Sequence, residues 1–423
     1  MSATATLGAS RRLSLRRSRV LGAVFVVLAI LMVWLFALGT PSSSESTFGL
    51  NTVGVSVALD VPPLTVPTQL SVIVLAAIAG ALGAVQLTRG FGKRANVVLS
   101  IVVFLFVAAF LVWATRGASL NLVGLLQATL LAAVPLTLGA LSGVLCERSG
   151  VINIAIEGMM LFAAFTGAIV GSAAGSLIVG LLLGVLSGAL MAWVLAVLAI
   201  RYHVDQIIAG TVLNIFALGI TSYLSGGILT EYPNLNSPGR FSIITIPVLS
   251  SIPIIGPVLF NNNIFVYLMF ILVFGIAFAL ARTRWGLRVR AVGEHPRAAD
   301  TVGINPLRVR YRNVLLGGMV AGLAGAYLTL ASTGRFEQEM TAGTGFIALA
   351  ARIFGRWNPI GAFGAALVFG FAQSLQTNLA LLDVPIPSDF LLMAPYIVTI
   401  FVVAGVVGRA RPPAADGQPS FKG

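Results

Sequence analysis

Residues 20–38 form a nineteen-residue apolar run, long enough to cross the hydrocarbon core of a membrane, and runs of this kind recur to the end of the chain. They fall at 69–87, 96–114, 119–141, 151–174, 177–200, 205–229, 264–281, 313–331, 359–377 and 390–407, with a shorter one at 341–354. The pattern predicts an all-α polytopic membrane protein of about twelve crossings. The totals agree: 58% of the residues are hydrophobic, 9% are charged and the mean hydropathy is +0.99.

The loops assign the sides. With both termini inside, 23 of the 26 lysines and arginines lie on the inner side, and only Arg116, Arg240 and Arg335 lie outside. Cationic loops are retained on the cytoplasmic face, and one miscounted span would invert everything after it. The net charge of +13 therefore belongs to span ends and not to a nucleic-acid-binding face. Residues 20–38 are too long for the apolar core of a signal peptide and lack a clear cleavage site, so they read as a signal anchor in a multi-pass protein. One cysteine, Cys146, excludes an intramolecular disulfide framework, and two histidines exclude a His-rich metal site. No metal or cofactor is expected. No GxxxxGK[ST] occurs, so ATP hydrolysis, if the protein uses it, must come from a partner.

Three stretches stand out. The first is the polar passage 282–312, which carries eight arginines. Its simplest role is a topology anchor. Within it Pro296 suits a first helical turn, Arg297, Ala298 and Ala299 are helix formers, and Gly303 followed by Asn305-Pro306 reads as a stop. That predicts a short inner helix able to dock a soluble partner. The second is Glu147–Leu161, ERSGVINIAIEGMML, where Gly150 and Asn153 break an apolar helix and Glu157-Gly158 follow. An ionisable residue at membrane depth faces a cavity or a partner, and a broken helix exposes backbone donors. Glu157 has two readings of similar weight: a substrate-pathway group, or a brace that caps the break. The third is Met340–Phe363, MTAGTGFIALAARIFGRWNPIGAF, with flexible glycines and an inner turn at Trp357-Asn358-Pro359. Small residues at four-residue spacing (Gly167/Gly171/Gly175, Gly180/Gly184/Gly188, Gly318/Gly322) predict close helix packing within the chain.

These stretches carry a resemblance. AVGEHPRAADTVGIN resembles the coupling-helix segment of bacterial ABC importer permeases of the sugar, nucleoside and branched-chain amino-acid group. ERSGVINIAIEG and the stretch from Met340 to Phe363 resemble the nucleoside branch, and together the three span residues 147–363. The resemblance implies an ABC permease fold with a core of roughly ten helices, working by alternating access in the bacterial plasma membrane. It implies several partners: an ABC ATPase subunit, a second paralogous permease, an extracytoplasmic substrate-binding lipoprotein and the surrounding membrane lipid. The implied ATPase-coupling residues are Arg290, Gly293, Glu294, Pro296, Arg297, Ala298, Ala299 and Gly303. The candidate substrate pathway comprises Asn153, Glu157, Asn214, Phe346, Gln373 and Gln376, since amides pair with ribose hydroxyls and base edges while an aromatic stacks on a base. For each of these, an interhelical hydrogen bond or a core aromatic is the plainer role. The expected organisation is an N-terminal tail with peripheral spans (1–115), a permease core (116–408) and a C-terminal tail (409–423). A permease for a simple sugar or branched-chain amino acid remains an alternative, and so does an ion-coupled carrier with Glu157 as its coupling acid. A membrane-embedded enzyme lacks a nucleophile–base pair or metal cluster.

Overall fold

The computed structural model describes residues 18–51, 60–381, 393 and 411–419; the expected last span, 390–407, lies outside them apart from residue 393. Among the described residues ten helices are long and apolar enough to cross a membrane, and an eleventh apolar helix is short. The chain divides into two compact units: among the described residues the first holds 18–123 and 377–381, and the second holds 124–376, 393 and 411–419.

The N-terminal unit holds α1 (Ser18–Ala37), β1 (Glu45–Gly49), β2 (Leu64–Pro67), α2 (Thr68–Thr88), α3 (Ala95–Ala114) and β3 (Ser119–Asn121). Phe36 at the end of α1 meets Phe106, Phe110 and Trp113 of α3 at 5.4–5.7 Å between ring centroids, and Arg116 lies over Trp113 at 4.7 Å. The loops on that side form a small sheet, β1 pairing antiparallel with β2 and parallel with β3. Ser46 ties it down, sharing a 2.7 Å hydrogen bond with Thr68 and donating to Val112 O at 2.6 Å.

The second unit is built on α4 (Leu122–Glu147) and continues with α5 (Ile156–Ala173), α6 (Leu177–Ala196) and α7 (Gln206–Leu224). The connection from α7 contains β4 (Ile244–Thr245), α8 (Ile255–Phe260) and β5 (Asn261–Asn262) before α9 (Ile264–Arg282). Then come α10 (Arg284–Glu294), α11 (Pro296–Thr301), α12 (Pro306–Tyr327), α13 (Thr344–Phe354) and α14 (Pro359–Leu381), of which residues 377–381 count with the first unit. The apolar sequence of α4 is almost wholly buried, which makes it the centre of this unit. The small-residue repeats join α5 to α6 and α6 to α12. A Cβ built on Gly180 stands 2.7 Å from Gly167 O, and one on Gly188 stands 2.6 Å from Gly318 O and from Gly322 Cα. The backbones touch there, so dispersion and weak backbone contacts replace the hydrophobic drive that lipid does not supply.

Three boundaries differ from the sequence expectation. Residues 148–155 are not helical, and α5 begins only at Ile156. The arginine passage is not one loop with one short helix. Thr283 caps α10 by accepting from Gly286 N at 3.2 Å, and its buried Gly286, Val289, Val292 and Gly293 recur at helical spacing. Asn305-Pro306 is not the stop of the helix before it but the start of the next. Asn305 Oδ1 accepts from Arg308 N at 3.0 Å and Pro306 occupies the first turn, so Arg308, Arg310 and Arg312 lie inside α12.

Candidate functional site

The break between α4 and α5 is organised by two side chains of α7. Gln206 Oε1 accepts from Ile152 N at 2.7 Å. Asn214 works in both directions, accepting from Gly158 N at 2.8 Å and donating to Ile154 O at 2.9 Å. A broken helix in lipid leaves backbone groups without partners, and a side-chain amide carries the donor and acceptor needed to satisfy one of each. Asn214 lies eight residues beyond Gln206, about 12 Å into the span at ~1.5 Å per residue. The break therefore runs from the arginine-rich end of the unit, where Arg148 and Ser149 lie, to about mid-span at Glu157 and Gly158.

Glu157 follows in the first turn of α5. Its carboxylate caps a second broken element, accepting from Gly343 N at 2.9 Å and from Gly345 N at 2.5 Å at the start of α13. The local sequence makes this possible. Gly343 has φ +81°, a conformation that costs other residues energy, and a Cβ on Gly345 would stand 2.6 Å from the Cα of Glu157. A charged group at membrane mid-depth costs about 2.5–3.5 kcal/mol. Two charge-assisted hydrogen bonds of about 1.5–3 kcal/mol each offset it, with the positive end of the α13 dipole adding to them.

Around this pair lies a cavity of about 420 Å³. Its wall includes Glu157, Asn214, Phe346, Thr211, Thr341 and Glu339, set among apolar side chains. Three of the six sequence-selected pathway residues meet there: Glu157, Asn214 and Phe346. Phe346 is half exposed, leaving its ring available for stacking. Asn153 is fully buried in the break, with its Nδ2 3.4 Å from Ser142 Oγ, and neither it nor Gln373 nor Gln376 belongs to the cavity lining. Thr211 and Thr341 were not selected from the sequence. Thr341 is buried beside the GTG turn, and Thr211 lies one turn before Asn214 on α7, a relationship that helical spacing alone discloses.

A second cluster occupies the arginine-rich end of the unit. Arg290, Glu294, Arg297, Ala298 and Gly303 are exposed along α10 and α11, while Pro296 is half-buried and Gly293 and Ala299 are buried. Gly293 is buried because α10 presses on the carbonyl of Arg148, where no side chain fits. The C-terminal segment 411–419 packs here too: Ala415 N donates to Gly293 O at 2.9 Å and Ala414 N to Glu294 Oε2 at 3.3 Å. Arg310 is the clamp. The residue is 2% exposed, and its guanidinium donates to Ser149 O at 3.2 Å, Gln418 O at 2.8 Å and Ala415 O at 3.4 Å. Glu147 pairs with Arg352 of α13 and accepts from the Trp357 indole, joining the C-terminal ends of α4 and α13. Arg148 donates to Trp357 O at 2.8 Å. Burial pushes the Asp416 carboxyl up to about 8, and the nearby Glu147 carboxylate adds to the rise. Burial lowers Arg148, against the opposing pull of Glu294.

Residues 125–403 match the family described as branched-chain amino acid transport system, permease component. The chain is 43% identical over 311 residues to the guanosine ABC transporter permease protein NupQ of Bacillus subtilis, covering 71% of this chain and 97% of that one. It is 38% identical to the nucleoside ABC transporter permease protein NupC of Lactococcus lactis, over 68% of this chain and 93% of the relative. The putative glucose ABC transporter permease protein TsgC13 of Haloferax volcanii is 36% identical over 60% and 77%. No solved structure matches. The family match begins at residue 125, beside the Val123/Gly124 division between the two units, so the three N-terminal spans precede the shared region. The helix breaks and the glycine-packed helices lie in the second unit, which holds most of the matched region, and the chain belongs to the family of ABC transporter permease components.

Proposed function

We propose that this chain is a membrane-spanning subunit of an ABC importer for nucleosides, working by alternating access with both termini in the cytoplasm. The observation that carries the reading is the mid-depth cavity. Two carboxylates, an amide, two threonine hydroxyls and an exposed aromatic ring line it, and Glu157 and Asn214 among them hold the two helix breaks. A ribose presents hydroxyls to such polar groups and a base presents a π-face to Phe346. The names of the guanosine and nucleoside relatives support the same substrate class.

In this reading α10 and α11 dock on a partner ATPase, with Arg290, Glu294, Arg297, Ala298 and Gly303 on the exposed face and Gly293, Pro296 and Ala299 setting its shape. Closure of the ATPase moves α10 against Arg148 and, through Trp357 and Glu147, reaches the inner end of α13. The outer end of α13 is the turn that Glu157 holds. A second, paralogous permease completes the pore, and an extracytoplasmic lipoprotein delivers the substrate. The glucose relative favours a second reading, a simple sugar in the same cavity.

The test is uptake into proteoliposomes holding this chain with its co-encoded permease, ATPase and binding protein. ATP-driven uptake of labelled nucleoside, competed by other nucleosides and not by glucose, ribose or leucine, is the expected result. Uptake competed only by glucose or ribose replaces the substrate class. Uptake that ignores ATP and follows an ion gradient overturns the importer.

A further inference from the structure

A second concavity, of about 450 Å³, opens on the sides of α6, α9 and α12, away from the mid-depth cavity. Its wall is almost entirely apolar, formed by residues such as Val185, Ile271, Gly275, Leu316 and Leu323, with Trp285 at one end. Gly275 on α9 has open space where a Cβ would stand, which deepens the groove. Trp285 is held in place because Gly286 beside it is jammed against the end of α9, leaving no room for a side chain.

The tryptophan end is also the cationic end. Arg282 lies one turn beyond the lining residue Ala279 on α9, and Arg284 adjoins Trp285. Arg312 lies one turn before Leu316 on the same stripe of α12. All three arginines are exposed, and the first acidic residue after them on α10 is Glu294, at its far end. An apolar groove thus ends at a tryptophan, with three exposed arginines on the adjoining turns. Tryptophan favours the headgroup level, and arginines at that level attract lipid phosphates.

We propose that this groove is a binding site for an anionic phospholipid, its acyl chain lying along α9 and α12 and its headgroup among Arg282, Arg284 and Arg312. The site adjoins the first turn of α10, so an occupant sets the position of the α9–α10 corner. The occupant is lipid and not a protein segment, because the wall is apolar and formed on membrane-spanning helices, and the adjoining arginines at its tryptophan end carry charge of one sign.

The full-length chain is reconstituted in bilayers containing phosphatidylglycerol or phosphatidylcholine with brominated acyl chains, which quench tryptophan on contact. The chain has five tryptophans, so the Trp285 signal is taken as the difference between the wild type and Trp285→Phe. Brominated phosphatidylglycerol is expected to compete for this position about five-fold better than brominated phosphatidylcholine, the effect of one or more surface arginines. Replacing Arg282, Arg284 and Arg312 together by Gln is expected to abolish the preference, and replacing the exposed Arg89, Lys93 and Arg94 by Gln to leave it intact. Equal quenching by both lipids overturns the proposal. So does a preference that survives the first triple variant, or one that the second removes equally. Absence of quenching by either lipid means that protein covers the groove, which overturns it as well.

Discussion

Both carboxylate oxygens of Glu157 are committed to the turn that begins at Gly343: one accepts from Gly343 N at 2.9 Å and the other from Gly345 N at 2.5 Å. One acidic side chain thereby joins the start of α5 to the start of α13. The two roles that the sequence left open for it, brace and pathway group, are compatible, because the braced carboxylate also lines the cavity.

Glu157→Ala is expected to leave two backbone donors without their partner, a loss of roughly 1–3 kcal/mol for each that water does not reach. Glu157→Gln keeps one acceptor and turns a donor towards a donor, so it lies between. The unfolding midpoint in detergent checks the order wild type, Gln, Ala. A midpoint for Glu157→Ala equal to the wild type contradicts the brace.

Gly345→Ala places a Cβ 2.6 Å from the Cα and N of Glu157, backbone atoms that cannot swing aside. Transport is expected to fall at least ten-fold with insertion preserved, because the displaced turn rebuilds the cavity wall. Uptake per inserted molecule is the readout.

Arg310→Met removes the two contacts to Ala415 O and Gln418 O of the C-terminal segment, and the one to Ser149 O that anchors the guanidinium. Cys146 is the chain's one cysteine and is buried, so a cysteine placed at the buried Ala415 is a unique reporter. Ala415→Cys alone is expected to react slowly with a maleimide, and at least ten-fold faster when combined with Arg310→Met. Equal rates contradict the clamp.

The same reporter reads a pH effect. Asp416 faces Glu147, Arg352 and Arg310, and its carboxyl is raised from 3.8 to about 8. A carboxyl raised on docking stabilises the docked tail only while protonated. The tail's hold is thus full below pH 3.8 and weakens as pH rises to about 8. The labelling rate of Ala415→Cys, divided at each pH by that of the same variant carrying Asp416→Asn, is expected to climb across this window. A flat ratio contradicts the raised carboxyl.

Arg297→Glu is expected to abolish ATP-driven uptake while the chain still inserts. Glu294 is the less clean test, because it also accepts from Ala414 N and its reversal frees the tail. Wild-type uptake by Arg297→Glu removes α11 from the docking face.

Much of this architecture was legible because lipid imposes simple rules. Apolar runs of span length gave the crossings among the described residues, and the glycine repeats marked where α5, α6 and α12 touch. The breaks at residues 148–155 and before α13 were visible as glycine and asparagine inside apolar runs. Their partners were not, since Asn214 and Gln206 are distant in sequence and an isolated amide in a span has no pattern. Arg310 misled for the opposite reason. In sequence it is one of eight arginines in a basic passage, and only the fold shows that its neighbours Ser149, Ala415 and Gln418 remove it from solvent. The pair Asn305-Pro306 carries both a stop and a start, and capping geometry alone decides between them.

In the proposed importer the cavity bounded by Glu157, Asn214 and Phe346 is the passage for a nucleoside. Thr211 lines it and is exposed, so Thr211→Cys offers a single accessible thiol on its wall. The most direct measurement is ATP-driven nucleoside uptake by this variant before and after modification with a membrane-impermeant thiol reagent. Uptake is expected to be lost on modification, and saturating nucleoside is expected to slow the modification. Full uptake after complete modification of Thr211→Cys would contradict the account.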